Sequence, residues 1–338
     1  MTGLADASRV WDAVLAAEAR GAQAVLAEIV AVVGSAYRRP GALMMMASDG
    51  QMEGTVSGGC LEGDLFVRSE PLFAGAPPLL VDYDLAEEEM WSLGIGCKGH
   101  IRVWVRRPPA GDARVRWRRA LATGGVLSAQ LPGGSDEVWL PGDPFPPGER
   151  GEAVRAAWAG ADPVVLASSW YVRAWRPAPR LVLVGAGHDA EPVARLSQAM
   201  GFRVLVVDPR EAFNDERRFP NSEHLVMEAS ALTLATHPEL AGAAWVVMNH
   251  HKARDGAALK AALAMEPRFV GALGPWSRTA ELLAGLPGAD RVHGPLGLDV
   301  GAESPNEVAL SIVAELMAET RGRSGAPLNR RERVHDMG

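Results

Sequence analysis

The sequence predicts two domains in series: an N-terminal α/β domain built on a mixed sheet, then a C-terminal Rossmann-like α/β domain with a doubly wound parallel sheet. Three observations predict this. A chain of 338 residues suits two domains, at roughly 100–200 residues each. Pro177-Ala178-Pro179 interrupts it near the middle, because two prolines bar a continuous helix or a central strand. Beyond that break, β-branched runs alternate with helical patterns, a rhythm that specifies a parallel sheet with helices on both faces. The expected boundaries are 1–176 and 180–325, with a tail over 326–338.

The first helix is expected over 8–20, where Val10, Val14 and Ala17 share a face. Ala24 to Val33 is dense in β-branched residues and reads as a buried strand. A strand over Leu43–Ala47 follows a glycine-rich turn. Ser48-Asp49-Gly50 then reads as a hairpin turn, since Asp-Gly tolerates positive φ, with a return strand from Gln51 to Val56. A helix is expected from Cys60 to about Ser69. Strands at 79–84 and 101–105 flank a loop ending in Gly94-Ile95-Gly96-Cys97-Lys98-Gly99. Residues 107–150 are rich in Pro, Gly and Arg and read poorly; the pattern supports a helix at Ala113–Ala122 and short strands near 126–131 and 137–140. After the break come strands at Arg180–Val184, Val204–Val207, Trp245–Met248 and Arg268–Ala272. Helices at Asp189–Met200, Asp255–Ala264 and Arg278–Ala284 lie between or after them.

A composition of 48% hydrophobic and 22% charged residues is that of a globular protein and excludes wholesale disorder. The net charge of -7 argues against nucleic acid or an anionic membrane as partner. Two cysteines make no disulfide framework, which points to a reducing compartment. Met1–Asp6 shows no secretory signal, and no apolar run reaches about 18 residues. A soluble, cytoplasmic protein is expected.

Gly185-Ala186-Gly187-His188-Asp189-Ala190 follows directly on a strand and fits G-x-G-x-x-A, a dinucleotide fingerprint. Gly185 would permit the tight turn, Gly187 the approach of backbone amides to a pyrophosphate, and Ala190 close packing of helix on strand. Asp208 closes the next strand, where an acid usually holds ribose hydroxyls. An acid at Asp189 partly opposes an anion at the helix start, and a repurposed Rossmann scaffold is the plainer alternative. Cys60 follows Gly58-Gly59 at the expected helix start, a setting that favours thiolate. Cys97 lies among glycines beside Lys98. The spacing of the two cysteines fits neither C-x-x-C nor a zinc ribbon, and a small buried hydrophobe is the ordinary role of a free Cys. Asn249-His250-His251-Lys252, with Asp255 close behind, follows a strand end where open α/β sheets bind ligands. Adjacent histidines point in different directions, so a polar ligand contact is favoured there and no metal is assigned. Asp299 stands between Gly297 and Gly301. Ser304-Pro305-Asn306-Glu307 just after it has the form of a helix start with a capping box.

These motifs occur together in one family. Gly34-Ser35-Ala36-Tyr37-Arg38, Pro40-Gly41-Ala42 and the run Gly54 to Glu62 (Gly-Thr-Val-Ser-Gly-Gly-Cys-Leu-Glu) resemble the XdhC/CoxI family, accessory factors of xanthine dehydrogenase and related molybdenum hydroxylases. The C-terminal half is similar to its Rossmann domain through Gly185–His188, Val207-Asp208-Pro209-Arg210, Arg218-Phe219-Pro220, Val246–His250 and the run His293 to Gly301. Departures include Lys98 for a usual Gly, His251 for a usual acid, and Pro275-Trp276-Ser277 where Ser and Arg are usual. The resemblance implies a protein without turnover of its own. It would bind molybdenum cofactor (molybdopterin) and assist its sulfuration or insertion into a xanthine dehydrogenase-like hydroxylase. It implies cofactor contacts at Gly58, Gly59, Cys60, Gly185, Gly187, His188, Asp208, His250 and Asp299, with a thiol role for Cys60 and Cys97. The cofactor would lie between the cysteine turns and the Gly185–Asp208 crevice. A cysteine desulfurase is a further expected partner, and a homodimer an expected assembly. Two readings stay open beside it. One is an NAD(P)-dependent oxidoreductase with Asp208 on the ribose and His250 as general acid; the other is a nucleotide-binding protein with no chemistry.

Overall fold

The computed structural model describes residues 4–85 and 99–330. The chain forms two compact units, Met1–Pro177 and Ala178–Gly338. In the first, the helix Leu4–Ala19 precedes β1 (Ala24–Gly34), β2 (Leu43–Ala47) and β3 (Met52–Gly54). The helix Glu62–Phe73 leads to β4 (Leu79–Asp84) and β5 (Gly99–Arg106). These strands form one sheet in the order β3-β2-β1-β5-β4. The first seven residues of β1 are all buried, as a central strand covered on both faces requires. Helix Leu4–Ala19 lays Val10, Val14 and Ala17 on one face with Leu26, Met45 and Trp104. Helix Glu62–Phe73 lays Leu65 and Leu72 on the other with Ile29, Met44 and Val103.

The poorly readable stretch builds a second sheet. The expected helix and two strands are present, as Gly111–Thr123, β6 (Gly125–Gln130) and β7 (Asp136–Trp139). They are joined by a helix at Gly148–Ala159, β8 (Val164–Val165) and β9 (Trp170–Trp175), which the pattern does not reveal, in the order β7-β6-β9-β8. Gly151 explains part of this. A Cβ there would stand 1.7 Å from the Pro146 carbonyl, so the glycine marks a helix start pressed on its approaching chain. The α/β class of this unit holds, and the mixed sheet within it is corrected to antiparallel ones. Every strand pairing among its described residues is antiparallel. Most neighbours are consecutive strands that turn back directly, and parallel pairing would need a crossover.

The two sheets of this unit are tied by buried charge. Glu28 of β1 is fully buried and accepts from Tyr171 Oη at 2.9 Å and Arg173 Nη1 at 2.6 Å, both on β9. Its other oxygen accepts from Arg106 Nη1 and Nη2 of β5, each at 3.2 Å. Arg106 also lies 3.5 Å from Asp136 of β7 and stacks on Trp104 at 3.6 Å.

In the second unit β10 (Arg180–Val184), β11 (Arg203–Val207), β12 (Glu223–Leu225), β13 (Ala244–Val247), β14 (Phe269–Ala272) and β15 (Val292–His293) form one parallel sheet. Their spatial order is β12-β11-β10-β13-β14-β15. Numbered within the unit this is 3-2-1-4-5-6, the doubly wound dinucleotide-binding order, whose direction reverses between β10 and β13. Successive residues of β10 serve opposite faces. Leu181 and Leu183 meet the helices Ala190–Ala199 and Pro305–Thr320. Val182 and Val184 meet the helix Lys252–Ala264. The helix Pro305–Thr320 starts with Pro305 at its first position and a Ser304–Glu307 capping box, as its sequence requires.

Candidate functional site

The turn after β3 is organised around Glu62. Its Oε1 accepts from Thr55 Oγ1 at 2.5 Å and from the amides of Val56 and Ser57 at 3.0 Å. Its Oε2 accepts from the Gly59 amide at 3.0 Å, the Leu61 amide at 3.1 Å and the Ser57 hydroxyl. Burial pushes this carboxyl upward. The bonds from Ser57, Thr55 and the turn amides outweigh burial and bring its pKa down to about 2. Gly58 and Gly59 adopt positive φ of 81° and 115°, which glycine alone takes without strain. Tyr37 packs on Gly58, while the side of Gly59 where a Cβ would point is open. The expectation for Cys60 needs correction. The helix begins at Glu62, so Cys60 lies ahead of it, and the amides on either side of it donate to Glu62. The Cys60 thiol is exposed, beside a small pocket walled by Ala36, Tyr37, Val56, Leu61, Leu85 and Ile101. Cys97 falls outside the described residues.

At the carboxyl end of the parallel sheet, Gly185 turns the chain with φ of 107°. A Cβ there would lie 2.7 Å from the Met248 carbonyl, so this glycine serves the close approach of β10 to the end of β13. Asp208, expected on a ribose, is almost wholly buried and engaged by neighbours of its own unit. Its Oδ2 accepts from the Ala186 amide at 2.8 Å and Arg210 Nη2 at 2.7 Å; its Oδ1 accepts from Arg210 N and Nε at 2.9 Å. Burial raises its pKa, but Arg210 and the Ala186 amide prevail and hold it below the usual carboxylate range. Gly187 is covered as well. The Oδ1 of Asp189 lies 2.5 Å from where a Gly187 Cβ would be, and its Oδ2 meets His250 Nε2 at 2.6 Å. His250 sits in the left-handed region at φ 57°, unusual for a residue with a Cβ. The pair thus places a carboxylate over the face where the fingerprint predicts a pyrophosphate.

His188 is exposed at the helix start, near Arg218, whose guanidinium is anchored on Glu191 and on the Ala186 and Phe213 carbonyls. Arg210 and Arg218 both lie over the Phe213 ring, at 4.4 and 4.9 Å. The expected His–His–Asp group has separate partners. His250 faces Asp189, and His251 caps the helix Lys252–Ala264 through a weak contact with Arg254 N. Asp255 is buried, accepting from Asn249 N and Nδ2 at 3.0 Å and from Arg278. Asp299 is exposed on a loop whose base is pinned by Glu315, which accepts from His293 Nδ1 at 2.8 Å and Gly297 N at 2.6 Å. Among the described residues no group of three or more His, Cys, Asp or Glu is arranged to hold a metal.

The XdhC Rossmann domain family model matches residues 181–316, and the XdhC and CoxI family model matches residues 17–84. A probable xanthine dehydrogenase subunit of Bacillus subtilis (strain 168) is 32% identical over 315 residues, covering 89% of this chain and 94% of that one. The chain belongs to the XdhC and CoxI family. A second relative is the molybdenum cofactor insertion chaperone PaoD of Escherichia coli (strain K12), 23% identical over 308 residues, with 88% of this chain and 83% of that one covered. A crystal structure described as a xanthine dehydrogenase from Bacillus halodurans superposes with a TM-score of 0.76 at 27% identity, covering 94% of this chain and 98% of that one. The XdhC Rossmann domain is therefore the second unit, with its Gly185–Asp208 turn and parallel sheet.

Glu62, Asp189 and Arg210 organise these turns, yet none is among the contacts expected from sequence. Glu62 is visible there only as the last residue of the Gly54–Glu62 run, with nothing to say that it folds back. The signal for Arg210 is its place two residues beyond the acid that ends β11.

Proposed function

We propose that this chain is an accessory factor that binds molybdenum cofactor and assists its sulfuration or insertion into a xanthine dehydrogenase-like molybdenum hydroxylase. The observation that carries this is the family likeness along nearly the whole chain to an insertion chaperone for that cofactor. The residues fit such a group in part. Cys60 offers an exposed soft ligand beside the open face of Gly59, which suits a sulfur-rich molybdenum centre. In the second unit, taken by itself, a phosphate at Gly187 would meet Asp189, so His188 and Arg210 are the better contacts there for an anionic group. When bound, the cofactor itself supplies the molybdenum and sulfur chemistry. The chain's task is to hold it and shield it from solvent. Further candidate contacts, each within its own unit, are Gly58 with Cys97 as a second thiol in the first, and Gly185, His250 and Asp299 in the second. A cysteine desulfurase would be the source of sulfur, and a homodimer the assembly.

The test is activation of an apo-hydroxylase by the purified chain and cofactor, with Cys60→Ser and Cys97→Ser assayed separately. Activation that falls in Cys60→Ser supports the reading, and full activation by that variant removes Cys60 from it. The strand order 3-2-1-4-5-6 favours a second reading, a nucleotide-binding protein or NAD(P)-dependent oxidoreductase. Turnover of NADH or NADPH without any hydroxylase present would select it.

A further inference from the structure

We propose that Glu62 is the positioning residue of the Cys60 turn: a built-in anion that fills the glycine-rich loop and fixes where the exposed thiol stands. Its role for the cofactor rests on the proposed function above; its role in the turn does not. A loop whose amides point inward is an anion-binding nest. Here four amides (Val56, Ser57, Gly59, Leu61) and two hydroxyls (Thr55, Ser57) converge on one carboxylate. Four of these donors flank Cys60 directly or lie within three residues of it. A second layer holds them: the Gly58 amide donates to Thr55 Oγ1 and the Leu61 amide to Ser57 Oγ, both at 2.8 Å. The thiol itself is in none of these bonds and stays exposed.

With its amides already engaged, the turn offers no cradle for a ligand phosphate, so a ligand meets it through the thiol and the pocket wall. Removing the carboxylate should also create a nest that a free carboxylate can refill. The experiment uses the full chain with Cys97→Ser, leaving Cys60 as the one thiol that reports. Its alkylation by iodoacetamide is followed by mass spectrometry for the parent, Glu62→Gln and Glu62→Ala, with circular dichroism to establish folding. Glu62→Ala should change the alkylation rate several-fold, and acetate should restore the parent rate along a saturable curve. Acetate should leave the parent unaffected. A folded Glu62→Ala chain alkylated at the parent rate, or one indifferent to acetate, overturns the proposal. Should the alanine variant not fold, hydrogen exchange on the unsubstituted chain decides. Slow exchange at Val56, Ser57, Gly59 and Leu61 supports the nest, and exchange at exposed-loop rates refutes it. No cofactor enters these measurements. Failure of added molybdopterin to protect Cys60, with acetate rescue intact, would count against the cofactor reading and leave Glu62 in place.

Discussion

Glu62 and Asp208 show the same device in both units: a carboxylate turned inward onto the amides of a glycine turn. The pKa of Glu62 falls from 4.5 to about 2 on folding. A depressed carboxyl contributes stability that is present above its unfolded value and lost as pH falls through the folded one. Denaturant midpoints of the parent and Glu62→Gln should therefore differ at neutral pH. The difference should shrink as pH falls from 4.5 toward 2. A gap that stays constant across that window would contradict the role. Asp208 has the same sign, with burial opposed by Arg210 and the Ala186 amide. Asp208→Ala leaves the Ala186 amide without its acceptor. It should cost about 1–3 kcal/mol in chemical denaturation, the usual penalty for an orphaned buried partner. An unchanged midpoint would mean that the carboxylate is dispensable to the turn. Asp208 is legible in the sequence as an acid at a strand end, but its partner is not. The bond to the Ala186 amide depends on how the turn folds back and is visible only in the structure.

At the scale of elements, the parallel strands are legible because each is a short apolar run bounded by helical periodicity and turn residues. The second sheet of the first unit is not. Its strands carry the polar residues Arg173 and Ser128, and both are buried: Arg173 against Glu28, far away in sequence, and Ser128 accepting from Trp139 Nε1. Glu28 joins β1 and β5 to β9, so Glu28→Ala takes the shared carboxylate from two buried guanidiniums, leaving Arg173 on the Gly41 carbonyl and Arg106 beside Asp136. Breaking a buried ion pair from one side costs about 3–5 kcal/mol, and thermal unfolding should show a loss of that order. A loss under about 1 kcal/mol would place the network among weak surface pairs. The Gly185 turn gives a sharper case. Alanine there meets the Met248 carbonyl and must adopt φ of 107°. Gly185→Ala should yield insoluble or markedly destabilised protein, whereas Gly201→Ala, also at positive φ but with open space around it, should stay soluble at a smaller cost. Equal behaviour of the two variants in a solubility and melting assay would mean that Gly185 is not needed for the close approach of β10 and β13.

For the whole molecule, family motifs outran physics. Gly-x-Gly after a strand suggests a dinucleotide, but the carboxylates of Asp189 and Asp208 lie on that turn, and only the longer runs around Cys60 and His293 point to the XdhC and CoxI family. Central to the proposed function is that this chain holds molybdenum cofactor. The most direct measurement is mass spectrometry of small molecules released from the chain purified from cells that make the cofactor, with Cys60→Ser alongside. Molybdopterin, or its dinucleotide form, should be released in proportion to the chain and diminished in the variant. Release of NAD(H) or NADP(H) instead, or of no pterin from cells whose hydroxylases are loaded, would contradict it.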